Sequence, residues 1–259
     1  MRRLLLGALV LAACGTSSSR PSSPVTDGGA DAGLEAGAEP DPGGYEEPLP
    51  ECISTSIGIW DDFEEPLDGT SAQFAPAGTT AIGFDPLHHC GAQGIRATVA
   101  GGGTTALFVR AVPPPGGAAT TTAVSWSFLV SFEPSSSEST FRFAELLLAN
   151  QRRLVFELVK GSLSLVEKDD LAVDAGAAEN VHPNLATLAP NEWQRIDMRL
   201  EYATKKATLK IGPPGGTAPT QEQTLVFDLD RVTTEQLGPT APEAGSVTVH
   251  YDRAAVFVE

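Results

Sequence analysis

The sequence predicts an all-β domain, a sandwich or a barrel, over residues 51–259. Three observations carry that expectation. Apolar residues alternate with polar ones in several separate runs, turn-forming residues divide those runs, and short connections join two pairs of runs as hairpins. Val124, Trp126, Phe128, Val130 and Phe132 alternate with Ser125, Ser127 and Ser131, the pattern of a strand with one wet face. Ile196, Met198 and Leu200 alternate with Arg195, Asp197, Arg199 and Glu201. Ala207, Leu209 and Ile211 then alternate with Lys206, Thr208 and Lys210, so Tyr202–Lys205 reads as a hairpin connection. Leu154–Val159 and Leu163–Val166 flank Lys160-Gly161, a second hairpin.

Further strands are expected near Ile95–Val99, Leu107–Ala111, Phe141–Leu148, Thr224–Phe227 and Val247–Val258. By periodicity alone Phe141–Leu148 also fits a short helix; its Phe-Arg-Phe alternation and β context favour a strand. Roughly ten to thirteen short strands separated by turn residues indicate a sandwich or barrel. The Pro113–Gly117 and Pro213–Gly216 stretches are short enough to be turns, so a single domain is expected.

The N-terminus has another character. Met1, Arg2 and Arg3 precede an uncharged apolar stretch, Leu4–Ala13. Such a stretch falls well short of the roughly 20 residues that span a bilayer and reads as a signal peptide, residues 1–13. Leu11-Ala12-Ala13-Cys14 matches the lipobox, and in this the chain resembles bacterial lipoproteins. The resemblance implies that Cys14 is lipidated and that the preceding peptide is removed. It also implies that the new amino terminus is acylated. Several acyl chains give stable anchoring where one does not. Gly15, where an aspartate would signal retention, favours the outer membrane. The expected location is therefore the cell envelope outside the cytoplasm, with the membrane as partner through the lipid.

Residues 14–50 are rich in Gly, Ser, Pro and Ala. Arg20 stands against Asp27, Asp31, Glu35, Glu39, Asp41, Glu46 and Glu47. A stretch with so little to bury cannot offset its ordering entropy, and its acids repel one another. It reads as a disordered tether.

Within the domain, three pieces resemble the concanavalin A-like lectin/glucanase superfamily, laminin-G-like domains included. They are Ile59-Trp60-Asp61-Asp62-Phe63-Glu64, the run Asn191–Leu200 with its Trp193 and following hairpin, and the closing Val249–Val256 with Tyr251-Asp252. The resemblance implies a jelly-roll sandwich of two antiparallel sheets, one concave, with first and last strands adjacent. It also implies a structural Ca²⁺ that ties those strands together, held by Asp252 with help from Asp62 or Glu64, since Ca²⁺ takes several oxygens.

With Cys14 lipidated, Cys52 and Cys90 remain as a pair. In an oxidising compartment a disulfide is expected, contributing roughly 3–4 kcal/mol by loop closure. His88 and His89 lack further ligands at good spacing, so a metal role for them is not expected. Trp60, Trp126 and Trp193 sit at strand positions and read as packing residues.

Motifs of catalysis are missing from the sequence. Polysaccharide-cleaving members of that superfamily carry E-x-D-x-E on one strand, which sets a nucleophile and an acid about 5 Å apart. Here the interior strands supply single acids, Glu145 and Glu157, while Asp228 and Asp230 read as solvated turn acids before an Arg231–Gly238 connection. There is no G-x-S-x-G elbow, and Gly101-Gly102-Gly103 precedes no G-K-[ST]. Arg195, Asp197 and Arg199, with Arg142 and Glu157 on other strands, are the candidate ligand-binding residues of a concave groove. A net charge of −16 disfavours nucleic acid. The expectation is a non-catalytic, lipid-tethered domain that displays a binding surface, with glycan as candidate ligand. Two other classes are a polysaccharide-cleaving hydrolase or lyase with an atypical site, and a structural or protein-binding envelope component.

Overall fold

Alternation of inward and outward side chains marks Gln194–Glu201 and Lys206–Gly212 most plainly in the computed structural model. It describes residues 59–61, 71–74, 80–85, 87, 89–91, 94–100, 105–114, 121–170, 178–240 and 245–259. All of these belong to one unit, Glu46–Glu259; the preceding unit, Met1–Tyr45, lies outside the described residues. Cys14, the tether, Cys52, Asp62 and Glu64 therefore fall outside them as well.

The strands run β1 Ile59–Asp61, β2 Ser71–Phe74, β3 Thr80–Asp85, β4 Gly94–Ala100 and β5 Leu107–Ala111. They continue as β6 Ala123–Phe132, β7 Thr140–Leu148, β8 Arg152–Val159, β9 Ser162–Asp169 and β10 Ala178–Thr187. The rest are β11 Gln194–Glu201, β12 Lys206–Gly212, β13 Thr220–Thr224, β14 Val232–Thr240 and β15 Ser246–Val258. One short helix, Pro134–Ser137, links β6 to β7.

These strands form a β-sandwich of two antiparallel sheets. The eight-stranded sheet has the order β13-β12-β11-β6-β15-β4-β3, with β1 also on β15; the seven-stranded sheet has the order β10-β9-β8-β7-β14-β5-β2. β15 lies between β6 on one side and β4 with β1 on the other, so the first and last described strands pair, Trp60 opposite Ala255. Both expected hairpins form. Lys160 and Gly161 take φ of 49° and 79°, as a two-residue type I′ turn requires, and Lys205 takes φ of 51° at the end of the Tyr202–Lys205 turn.

The core lies between the sheets. Trp126, Phe128, Phe132, Ile196, Met198 and Tyr251 face Phe141, Phe143, Phe156, Leu158 and Leu165. Trp126 meets Phe156 with centroids 5.5 Å apart, and Phe132 meets Phe143 edge-on at 5.1 Å. Such ring pairs add to simple area burial. The Tyr251 hydroxyl donates to the Phe143 carbonyl at 2.5 Å, a cross-sheet hydrogen bond.

Two sequence expectations need correction. The Arg231–Gly238 stretch is not a connection but most of β14, paired with β7 and β5 in the middle of the seven-stranded sheet. Its alternation is hidden by register shifts near Thr233 and Gly238 and by an inward Glu235. Gly238 has φ of 137°, and a Cβ there would meet the Ala106 carbonyl oxygen at 1.8 Å, so only glycine fits. The strand expected at Thr224–Phe227 is instead the polar Thr220–Thr224. Leu225 turns into the core, and the Val226 and Phe227 N–H groups leave the sheet to bond the Glu167 carboxylate.

Candidate functional site

Because Ile196, Met198 and Leu200 point inward, β11 turns Arg195, Asp197 and Arg199 to the outer face of the eight-stranded sheet. Register then supplies their neighbours. Asp197 lies between Lys210 of β12 and Ser127 of β6, and Arg199 lies between Thr208 and Ser125. Phe257 of β15 stands beside Ser125. The Asp197 carboxylate accepts from Ser127 Oγ at 2.6 Å and from Arg195 Nε at 3.0 Å, which fixes the Arg195 guanidinium. Arg199 Nη2 meets Glu259 Oε2 at 2.9 Å, and Ser125 Oγ donates to Glu259 Oε1 at 3.1 Å.

Two adjoining cavities of about 440 and 400 Å³ open on this face and share Arg195, Asp197 and Lys210. The first extends under the Gly212–Ala218 turn and the second reaches Arg199 and Phe257. Their lining carries three cations and one carboxylate, Asp197. Glycoside hydrolysis of the usual kind needs two carboxyl groups flanking the bond. The lining is polar, with a cationic excess.

Arg142 and Glu157 are elsewhere, which corrects the expectation of one groove. They stand on β7 and β8, on the outer face of the seven-stranded sheet, across the sandwich from Arg195. Alternation says which side chains point outward; it does not say which sheet a strand joins. Arg142 is 3.8 Å from Glu157 and 3.7 Å from Glu179, and Glu179 is also bonded by Lys168. Arg153 is 3.2 Å from Glu145 and also bonds Asp170. Burial raises the Glu145 carboxyl above its ordinary value, while the Arg153 charge pulls it back down. The cations of this face are thus matched by acids of the same face.

Asp252 sits at a register shift in β15, where Arg253 takes φ of 45°. Its carboxylate is fully buried, and Oδ2 accepts from the backbone N–H groups of His89 at 2.7 Å and Cys90 at 2.6 Å. It clasps the segment that carries the buried Cys90. Calcium needs several oxygens around it, whereas the groups that meet Asp252 Oδ2 are N–H donors with their positive ends inward. Among the described residues, no group of three or more His, Cys, Asp or Glu side chains is placed to hold a metal. Asp62 and Glu64, which the resemblance sets beside Asp252 for a calcium ion, lie outside the described residues.

Sequence reasoning missed a buried His250–Asp85 pair with Glu133 at its exposed edge. His250 Nδ1 lies 2.9 Å from Asp85 Oδ2, and its Nε2 lies 3.7 Å from Glu133. Nothing in spacing signals it, since its members come from β15, β3 and the turn after β6. Trp126 is buried in the core as expected, and Trp193 is half-buried with its ring 6.5 Å from His89.

No family model matches the chain, and no curated protein matches it in sequence. Solved structures do match. The crystal structure of endo-beta-1,4-glucuronan lyase from the fungus Trichoderma reesei is similar with a TM-score of 0.58 at 12% identity, over 78% of this chain and 95% of that one. Cellulose induced protein, Cip1, is similar with a TM-score of 0.55 at 15% identity, over 77% of this chain and 96% of that one. The likeness shows the fold alone.

Proposed function

We propose that the protein is a non-catalytic, glycan-binding β-sandwich displayed at the cell envelope on a lipid anchor at Cys14. The observation that carries the reading is the pair of adjoining cavities on the outer face of the eight-stranded sheet, lined by Arg195, Asp197 and Lys210. A shallow, polar strip with a flanking aromatic, Phe257, suits a chain of hydroxylated rings better than a flat apolar partner. The sandwich is shared with a glucuronan lyase and a cellulose-induced protein, which supports a carbohydrate ligand by analogy of fold. In this reading the Leu11–Cys14 lipobox provides the attachment and the acidic segment to residue 50 holds the domain off the membrane. A Cys52–Cys90 disulfide staples the start of the domain to the segment clasped by Asp252. Among the described residues no helix is long and apolar enough to cross a membrane.

The test uses the full chain in detergent, passed over immobilised neutral and acidic polysaccharides, with retention and released reducing ends both recorded. Retention without release supports the reading. Release overturns its non-catalytic part, and failure to retain on any polysaccharide overturns the glycan ligand. Transfer of a Cys14→Ser variant from the membrane to the soluble fraction supports the anchor; unchanged membrane association overturns it.

A further inference from the structure

We infer that this face takes a carboxylate-bearing polysaccharide, and that the Glu259 carboxylate occupies the place of the ligand's acid group until it is displaced. The inference rests on the glycan-binding reading and adds the class of glycan.

Charge and hydrogen bonding on the face carry it. The two cavities are lined by Arg195, Arg199 and Lys210 against Asp197 alone. Asp197 is already committed to Ser127 and Arg195. Lys210 is exposed and makes no ion pair among the described residues. In a chain of net charge −16, a strip with surplus cations is a local exception to the overall field. The opposite sheet face offers no such surplus, because Arg142, Arg153 and Lys168 are paired with its own acids.

The Glu259 contact shows how an acid group is received. One oxygen accepts from Ser125 Oγ at 3.1 Å, and the other meets Arg199 Nη2 at 2.9 Å. Arg199 and Glu259 are both substantially exposed, 42% and 48% at the side chain, so the pair opens easily. It is also an incomplete pairing. Arg199 Nη1 is buried with no hydrogen-bond acceptor among the described residues, whereas a guanidinium fork paired side-on with a carboxylate uses two nitrogens. A uronate carboxylate that enters at Ser125 and Arg199 exchanges one acid for another and releases the exposed Glu259 carboxylate to solvent. Its neighbouring rings then run past Asp197 and Lys210 into the first cavity.

The experiment measures binding of polygalacturonate, dextran sulfate and neutral dextran to the full chain in detergent, for wild type and three variants. Polygalacturonate is expected to bind in preference to both others. Glu259→Gln removes the internal competitor and is expected to tighten polygalacturonate binding by about two- to fivefold, the scale of an exposed ion pair. Arg199→Ala is expected to weaken it by about tenfold or more. Lys206→Ala, which removes a cation paired with Glu222 outside both cavities, leaves binding unchanged. Equal thermal unfolding midpoints for the variants establish that the fold is intact. Equal binding of dextran and polygalacturonate, with no effect of Glu259→Gln, overturns the inference and leaves glycan binding standing. Tighter binding of dextran sulfate overturns the choice of carboxylate. Binding of none of the three, and of no polysaccharide on the wider panel, overturns both readings together.

Discussion

Arg110 and Glu235 form an ion pair in the space between the two sheets, with Arg110 Nε 2.9 Å from Glu235 Oε2 and both side chains almost wholly excluded from solvent. Trp126 Nε1 donates to the other carboxylate oxygen at 2.6 Å, and Arg110 Nη2 reaches the Ala254 carbonyl at 3.2 Å. The pair joins β5 and β14 of one sheet to β6 and β15 of the other. Removing one partner leaves an uncompensated charge in the core, which costs about 3–5 kcal/mol. Replacing both with apolar residues of similar volume removes that cost. Glu235→Gln is therefore expected to lower urea-unfolding stability by several kcal/mol, and Arg110→Met with Glu235→Leu to restore most of it. A double variant no more stable than the single one would show that the charges themselves hold the sheets in place.

Tyr202 gives a prediction for alkaline solution. Burial pushes its phenol up to about 12 from the ordinary 10. The folded protein thus binds this proton more tightly than the unfolded chain does. The resulting stabilisation is complete below pH 10 and is lost as pH rises from 10 through about 12. Unfolding midpoints measured from pH 8 to 12 are expected to fall less steeply above pH 10 for Tyr202→Phe than for wild type. Parallel curves would contradict the buried setting of the hydroxyl.

Glu167 serves a structural purpose that its charge does not advertise. From β9 its carboxylate accepts the Val226 and Phe227 N–H groups at 2.9 Å each, and it meets Asn180 and His182 of β10. It thereby holds the chain where it passes from β13 of one sheet to β14 of the other. In Glu167→Gln one acceptor oxygen becomes a donor and faces N–H groups. Hydrogen exchange at residues 226–227 is expected to speed up by about tenfold or more, with exchange in β6 and β11 little changed. Unchanged protection would mean that packing of Leu225 alone fixes the crossing.

For Asp252 the expectation concerns both metal and loop. Its Oδ2 is engaged by two backbone N–H groups, so EDTA and added Ca²⁺ are expected to leave the thermal midpoint unchanged. A Ca²⁺-dependent rise would instead support the metal that the resemblance implies. Asp252→Ala strands both N–H groups and is expected to cost about 2–3 kcal/mol, seen as a lower midpoint.

Much of the fold is legible in the sequence where one side of a strand is apolar and the other polar. β11 and β12 follow that rule over their lengths, with Ile196, Met198 and Leu200 inside and Arg195, Asp197 and Arg199 outside. β14 escapes because Glu235 points inward to satisfy Arg110, which makes a central strand look like a charged connection. β10 escapes because it is an edge strand, polar along most of its length, with a register shift between His182 and Ala186. The candidate site is half legible. The outward charges of β11 can be read directly, but the joining of Glu259 to Arg199, and the separation of Arg142 from Arg195, depend on long-range pairing that local pattern does not encode.

The place of β15 also bears on when the molecule becomes a folded object. Its residues complete the hydrogen bonding of β6 on one side and of β4 and β1 on the other, and Tyr251 ties them to the opposite sheet. Until Ser246–Val258 has left the ribosome, those three earlier strands lack their neighbour and the middle of the larger sheet is missing. Pairings so distant along the chain also close slowly, on the millisecond-to-second scale of sandwich proteins. The larger sheet thus closes only after Ser246–Val258 is free to pair, and the strands on either side of it are joined late rather than early.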